Sequence, residues 1–536
     1  MALSRRLSSA TETADDKLDD EDKHAEPSSL GTSVLDLAQD VPHAAPMSSR
    51  QDATDVEKTA KSTLDDVPHP YLVTFSPDDP LNPRNFPTSR KAFITFQLGM
   101  LALAGSLGSS IIAPAEPRIA RYLSLTHETT VLTVALYVLG FAFGPSLWAP
   151  ISETYGRKIS MLPPVLALSI LSVGTGFSRS AAAIFFTRFF GGVFASAPIS
   201  NVSAALGDMY EPSARGIAVT FYAVCVCGGP TLGPVIGSAV TVTKGLGWRW
   251  TEFIEAIWAA SVFLLALVFM PELYPPVLLK RKAEQMRKET GDERYWHPHE
   301  AVKMTLNNIL TKHLSRPLRM FFTEPMVTCI AIYASFVYGL LYLTLEVFPI
   351  VYREHRHMGE VQSTLPFLGL LVGVISAMGI NLGNQPRYSR IVAANKGRAV
   401  PEARLPPMVL GGILFVIGIF WFGWTADPRF HWAIPTVATV FIGAGFNVIF
   451  QQCINFLVDT YALYAASAVS ANTVLRSLMA CALPLVARPM FLTLGVGPAC
   501  SVLGAVAILA LPVPFIFMKY GLRLRKMSKF APVVED

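Results

Sequence analysis

From residue 92 onward the chain alternates long apolar runs with short polar connections. Twelve such runs lie at about 92–114, 128–148, 159–177, 182–206, 215–240, 251–270, 325–350, 362–382, 407–425, 433–457, 464–487 and 496–519. A helix needs about 20 apolar residues to cross the hydrocarbon core of a bilayer. In that core each amide must be bonded within its own segment, so every run is predicted to be a helix. The predicted fold class is an all-α membrane protein with 12 transmembrane helices in two six-helix bundles. Its parts are a disordered tail and surface segment (1–91), a first bundle (92–270), a charged connector (271–324), a second bundle (325–519) and a C-terminal tail (520–536). Two halves of nearly equal length suggest parallel bundles facing each other across a midplane cavity.

Composition narrows the reading. Only 15% of the 536 residues are charged and 51% are hydrophobic, whereas a soluble domain carries roughly a quarter charged residues. The charges also cluster: 27 of 83 fall in residues 1–91 and 17 in 271–324. This excludes a soluble enzyme, a disulfide-rich secreted scaffold and a nucleic-acid binder. The first 91 residues hold 10 basic and 17 acidic side chains, which is not the make-up of a DNA-binding arm. All six cysteines lie in or beside apolar runs, so neither a disulfide frame nor a zinc site is expected, and Cys225 and Cys227 read as packing residues. His297 and His299 lack further ligands and do not make a metal site. The N-terminal stretch MALSRRLSSATETADDKLDD has no apolar core, so the first span is expected to act as a signal anchor. No GxxxxGK[ST] is present, which leaves an ion gradient as the default energy source and no cofactor to bind.

Orientation follows from Lys and Arg in the connections. Arg157 and Lys158, the cluster from Lys280 to Lys288, the group from Arg387 to Arg404, and the tail bases Lys519 to Lys529 all fall on one side. The other side is poorer, though Arg118, Arg121, Lys244, Arg353 and Arg356 lie there. Both termini are therefore expected in the cytoplasm.

Two segments carry mechanism. Between spans 2 and 3 stands Gly144-Pro145-Ser146-Leu147-Trp148-Ala149-Pro150-Ile151-Ser152-Glu153-Thr154-Tyr155-Gly156-Arg157-Lys158. A tight turn needs Gly156, whose missing side chain permits positive φ. A carboxylate at such a turn meets a helix N-terminus and a cationic side chain, which locks one conformation. In span 5, Gly229, Gly233 and Gly237 recur at four-residue spacing and form a flat face for close helix contact. Pro230 and Pro234 between them remove helix hydrogen bonds and permit bending.

The first segment resembles the loop signature of the major facilitator superfamily, G-x-L-x-D-R-x-G-R-[RK], with Ala149, Glu153 and Thr154 as departures. The second is similar to the motif of drug:proton antiporters, with Ser238 in place of the last Gly. The form "WAPISETYGRK" and the connectors "PELYPPVLL", "ANKGR" and "LVDTY" resemble the fungal twelve-span drug:proton antiporter family, in particular its polyamine-transporter-like branch. The likeness covers roughly residues 78–525. It implies the major facilitator fold, an inner gate loop at Glu153, Gly156, Arg157 and Lys158, and a hinge at the span 5 glycines and prolines. It also implies a proton-coupling role for Arg188, which lies two turns into span 4 in an R-x-x-x-G pattern.

An ionisable group inside a span costs about 2.5–3.5 kcal/mol even on a mild scale, so it should face a cavity or a partner. Glu346 is the acid well inside a span of the second half. It ends a stripe formed with Ser335, Tyr338 and Tyr342 at three- and four-residue steps, and it is the leading proton site, with an outward gate as its rival role. Span 10 carries Asn447, Gln451 and Asn455 four residues apart, and span 11 adds Asn472 and Arg476. Amides there either bind polar cargo or bond neighbouring helices. Tyr338, Tyr342, Asn447, Gln451, Asn455 and Asn472 are the candidate cavity residues.

The expectation is a non-enzymatic, monomeric exporter of the fungal plasma membrane. It would exchange protons for a small organic compound such as a secondary metabolite, toxin or drug. An amide-rich lining with one deep acid suits a neutral or weakly charged amphiphile. A polyamine is the second choice and an organic acid the third. The reading from another class is a membrane sensor or scaffold that signals through its acidic tail.

Overall fold

A computed structural model of the chain describes residues 71–301, 315–395, 400–461, 464–528 and 530. The expected disorder of residues 1–70, the connector segment 302–314, Lys396, Arg398, Lys529 and the residues from 531 on lie outside the described residues. Its α-helices are α1 (Thr88–Leu107), α2 (Glu116–Leu123), α3 (His127–Tyr155), α4 (Arg157–Phe177), α5 (Ala181–Met209), α6 (Pro212–Val242), α7 (Arg249–Phe269), α8 (Pro275–Thr290), α9 (Arg316–Thr323), α10 (Pro325–Phe348), α11 (Pro366–Ala394), α12 (Leu405–Thr425), α13 (Ala433–Tyr461), α14 (Ala465–Leu494), α15 (Val496–Ala510) and α16 (Pro512–Met527).

Among the described residues eleven helical segments are long and apolar enough to span a bilayer. The twelfth crossing is α1, whose 20 residues include Arg90, Lys91 and Gln97 and are more polar. In the first half α3 packs on α5, α4 on α5 and α7, and α1 on α5, α6 and α7. In the second half α10 packs on α14, and α13 on α11 and α12. The halves meet along α3 with α14 and along α6 with α11. Large apolar side chains such as Ile170, Phe177, Ile257, Val268, Trp424 and Leu509 point outward, as a lipid-facing surface requires.

Element ends follow local chemistry. Thr126 and Ser180 cap α3 and α5 by accepting from Thr129 N and Ala183 N, each at 3.3 Å. The first span, expected to run to 114, stops at Leu107. Gly108, Ser109 and Ser110 are weak helix formers, and Pro114 follows in a short 3-10 turn. The last span is expected to end at 519, but α16 continues to Met527. Arg525 there bonds Glu402 at 2.7 Å.

The segment around Tyr71–Val73 is tied to the connector. Val73 N donates to the Trp296 carbonyl at 3.1 Å, and Trp296 N donates to that of Tyr71 at 3.0 Å. Lys282 on α8 pairs with Asp79 and holds its carboxyl below the usual range. His299 sits against the Thr154 carbonyl at 3.1 Å, so the connector also touches the last turn of α3.

Candidate functional site

The main charge cluster lies at the end of the bundles away from the connector. Because α1 stops at Leu107, carbonyls near its C-terminus lack helical donors and carry the negative end of the helix dipole. Arg188 fills that need. Its Nη2 donates to the Gly108 carbonyl at 2.7 Å and its Nε to that of Thr133 at 2.9 Å. Its Nη1 lies 3.3 Å from Glu252 and 3.7 Å from Glu255, and its guanidinium stands 4.3 Å from the Tyr137 ring centroid. Arg188 is 1% exposed and both glutamates are fully buried. Tyr137 donates to Glu255 at 3.2 Å. One guanidinium neutralises one carboxylate, so this cluster changes net charge when its second acid gains or loses a proton.

A second acidic pair bridges the halves at the same end. Glu116 opens α2, outside the spans, and its carboxyl lies against that of Glu346 on α10. Burial, with Glu346 as the next cause, holds the Glu116 carboxyl well above the usual carboxylate range. Glu346 Oε2 in turn lies 3.0 Å from Nε2 of the part-exposed His127. The order His127, Glu346, Glu116 thus runs from a part-exposed ring into a dry interior. Further bonds join the halves nearby. Arg118 grips Glu360 through two contacts of 2.5 and 3.1 Å, and Ser238 meets Thr364 at 2.8 Å.

Beside the Arg188 cluster Tyr342 donates to Ser109 across the halves at 2.9 Å, and its oxygen is 3.5 Å from that of Tyr338, one turn deeper. Tyr338 stacks on Phe450 at 5.8 Å, and Arg476 lies 4.6 Å from the Tyr338 ring centroid and 4.9 Å from that of Phe450. Asn472 is fully buried, and neither its oxygen nor its nitrogen has a hydrogen-bond partner among the described residues. The span 10 amides serve other ends. Asn447 donates to the Val374 carbonyl at 3.0 Å. Gln451 accepts from Asn381 at 2.5 Å and donates to Thr220 of the other half at 3.0 Å. Asn455 is half-buried. Asn447 and Gln451 are therefore helix-joining groups in this conformation, while Tyr338, Tyr342 and Asn472 face the centre.

At the connector end Gly156 adopts φ +104°, a conformation that favours glycine. The carboxylate expected at this turn was Glu153, but Glu153 is exposed. Glu272 takes the place instead. It accepts from Arg157 N at 2.7 Å and Lys158 N at 3.1 Å, the first amides of α4. Arg157 pairs with Asp208 at 2.8 Å and Lys158 Nζ donates to the Leu267 carbonyl at 3.0 Å. The span 5 glycines face the end of α1. A Cβ at Gly229, Gly233 or Gly237 would run into Ser106, Ser110 or Ile111 respectively. Helix α6 passes through Pro230 and Pro234 without interruption.

Glu252, Glu255, Glu272 and Glu116 are the functional candidates that the sequence reading did not single out. A signal existed for the first two: acids three residues apart in span 6 share a face and need a partner. Among the described residues no group of three or more His, Cys, Asp or Glu is placed to hold a metal ion.

Comparison with known proteins agrees with this architecture. The model of the Major Facilitator Superfamily matches residues 98–484. The chain is 37% identical over 469 residues to the major facilitator superfamily multidrug transporter FLU1 of Candida albicans, covering 87% of this chain and 77% of that protein. It is 38% identical over 500 residues to the citrinin biosynthesis cluster MFS transporter mrr1 of Monascus ruber, covering 91% and 98%. Among solved structures, the xylose transporter XylE from E. coli in a partially occluded inward-open conformation aligns with a TM-score of 0.56 at 16% identity, over 80% of this chain and 99% of that one. That last likeness concerns the fold alone. On the length of the family match and the identity to its fungal members, the chain belongs to the major facilitator superfamily and to its fungal drug-efflux family.

Proposed function

We propose that this chain is a proton-coupled secondary transporter that exports a small organic compound across the fungal plasma membrane, with both termini in the cytoplasm. Its relatives are named as multidrug and biosynthetic-cluster transporters, which supports export of a drug-like or secondary-metabolite cargo. The two halves rock about the midplane, so that the centre opens to one side at a time. Gly156, Arg157, Lys158 and Glu272 form the inner gate, and the close contact of the span 5 glycines with α1 guides the rocking.

One observation carries the coupling. The series His127, Glu346 and Glu116 leads from a part-exposed ring into the protein and crosses between the halves. A buried acidic pair is costly and serves no packing purpose. A proton taken from outside is shared by the two carboxyls, cuts the pair's charge from two to one, relieves their repulsion and lets the outer ends close. Its release lets them part. Arg188 with Glu252 and Glu255 is the inner station, where the arginine fixes one carboxylate and leaves the other to exchange.

The test uses the full chain in proteoliposomes with an imposed pH gradient and a fluorescent drug panel. Glu346→Gln is expected to abolish pH-driven movement while the protein remains folded by size-exclusion chromatography. Unchanged proton coupling in that variant removes Glu346 from the mechanism. The sensor reading is separated by deleting residues 1–70: an exporter keeps its flux, whereas a sensor loses its output.

A further inference from the structure

Arg476 is a buried charge with no counter-ion among the described residues. It lies on α14, eleven residues from the helix start and so about 16 Å along it. It is 4% exposed. Its Nε has no hydrogen-bond partner, and none of the ion pairs among the described residues involves it. Its near neighbours are the rings of Tyr338 and Phe450. Arginine stays charged in proteins, and burying it without a counter-ion costs several kcal/mol. Arg188 solves the same problem with two glutamates and two carbonyls. Arg476 does not, although it sits beside the surface where the halves meet.

The surroundings of Arg476 add a second, independent sign of an absent partner. Asn472, one turn before it, has both side-chain polar atoms unsatisfied. Ser335, one turn before Tyr338 on the packed neighbour α10, is fully buried with its hydroxyl unpaired. Buried polar groups in folded proteins are nearly always bonded. Asn472, Ser335 and Arg476 are three such groups on the packed pair α10 and α14, beside the stacked rings of Phe446 and Phe450, whose centroids are 5.9 Å apart.

We propose that this is the cargo site, and that it takes an amphiphilic organic anion with a flat apolar body. The inference rests on the exporter reading and names its substrate class. Arg476 holds the anionic group, Asn472 and Ser335 complete its hydrogen bonds, and Tyr338, Phe446 and Phe450 cover the flat body. A carboxylate suits the guanidinium fork, and an aromatic face suits offset stacking. A polyamine is repelled from this centre, because the nearest fixed charge is positive and the buried acids lie at the outer end.

The experiment measures equilibrium binding of three matched probes to the full chain in lipid nanodiscs: 1-naphthylacetate, 1-naphthylacetamide and (1-naphthylmethyl)trimethylammonium. The wild type is expected to bind the acetate at least about 30-fold tighter than the amide, as a charge-assisted pair warrants. Arg476→Gln is expected to bring the acetate to the level of the amide, and size-exclusion chromatography with circular dichroism checks that the variant is folded. Arg476→Lys keeps part of the preference, because it keeps the charge and loses the fork. Equal binding of acetate and amide by the wild type overturns the proposal. So does a preference that survives in Arg476→Gln, or an equal loss of all three probes in that variant. Transport under a proton gradient separates the two readings. An Arg476-dependent preference with no probe moved means that the exporter reading fails while the site stands. Movement of the amide or the ammonium but not the acetate means that only the anion assignment fails.

Discussion

Replacing Arg188 by leucine tests whether the buried charge cluster is organised as the structure indicates. The guanidinium touches two fully buried glutamates and accepts no competition from solvent, being 1% exposed. Removing one partner of such a pair leaves an uncompensated charge and costs about 3–5 kcal/mol. The Gly108 carbonyl at the end of α1 also loses this donor, at about 1–3 kcal/mol for a group left dry. Arg188→Leu is therefore expected to lose at least about 4 kcal/mol against unfolding in mixed lipid–SDS micelles, followed by circular dichroism and tryptophan fluorescence. The double variant Arg188→Leu/Glu252→Gln removes the stranded charge and is expected to recover about 2 kcal/mol or more. Glu252→Gln alone is expected to be mild, because Glu255 and the carbonyls still hold the arginine. The sign of this double-mutant coupling is the decisive quantity. A single variant as stable as the wild type, or a double variant no better than the single one, refutes the reasoning.

Other outcomes follow from the same geometry. Gly156→Ala forces an L side chain into φ +104°, against the Glu272 carboxyl, and is expected to cost about 1–3 kcal/mol and to slow transport, measured by thermal unfolding and flux. Glu360→Gln removes the Arg118 latch, which is part-exposed and worth about 0–1 kcal/mol. Spin labels at the exposed Tyr122 and Leu365 are expected to separate more often in that variant, and unchanged distances count against an outer latch. The Glu116 carboxyl titrates above its ordinary value, so the native state binds its proton more tightly than the unfolded chain does. Raising pH through that range ionises Glu116 beside Glu346, with Arg188 as the nearer cation and His127 beyond Glu346. The outer contact is then expected to loosen as pH rises and to tighten as it falls. The same pair of labels measures this, and Glu116→Gln is expected to abolish the pH response.

The two ends of the molecule close by different chemistry, which suits them to different tasks. At the connector end Glu272 binds two main-chain amides and Arg157 binds Asp208. The amides and the guanidinium keep their charge state, so this latch depends on the position of α4 and the connector and on its two carboxylates staying ionised. At the far end the partners are carboxyls and an imidazole, which change charge with proton activity. Alternation between the ends then follows from one constraint: a rigid half that tilts toward its partner at one end must tilt away at the other.

How much of this was legible in the chain depends on what each signal encodes. Span lengths and the 6+6 division were plain, because the bilayer imposes a single length on every crossing. Gly156 was legible for a similar reason, since the turn demands a conformation that few other residues accept. Periodicity placed Tyr338 and Tyr342 on one face, and the structure brings both to the centre. What periodicity cannot supply is the partner across the fold. Arg188 and Glu252 stand 64 positions apart, and nothing local in either helix announces the other. The same limit explains Glu272 taking the place expected of Glu153: both flank the same turn in space, but only Glu153 flanks it in sequence. The amides show the converse. A row of Asn and Gln reads alike whether it awaits cargo or ties helices, and in α13 Asn447 and Gln451 tie helices while Asn472 on α14 is left unbonded. Arg476, a buried charge with no counter-ion among the described residues, is thus the position at which the described fold leaves a charge unmatched.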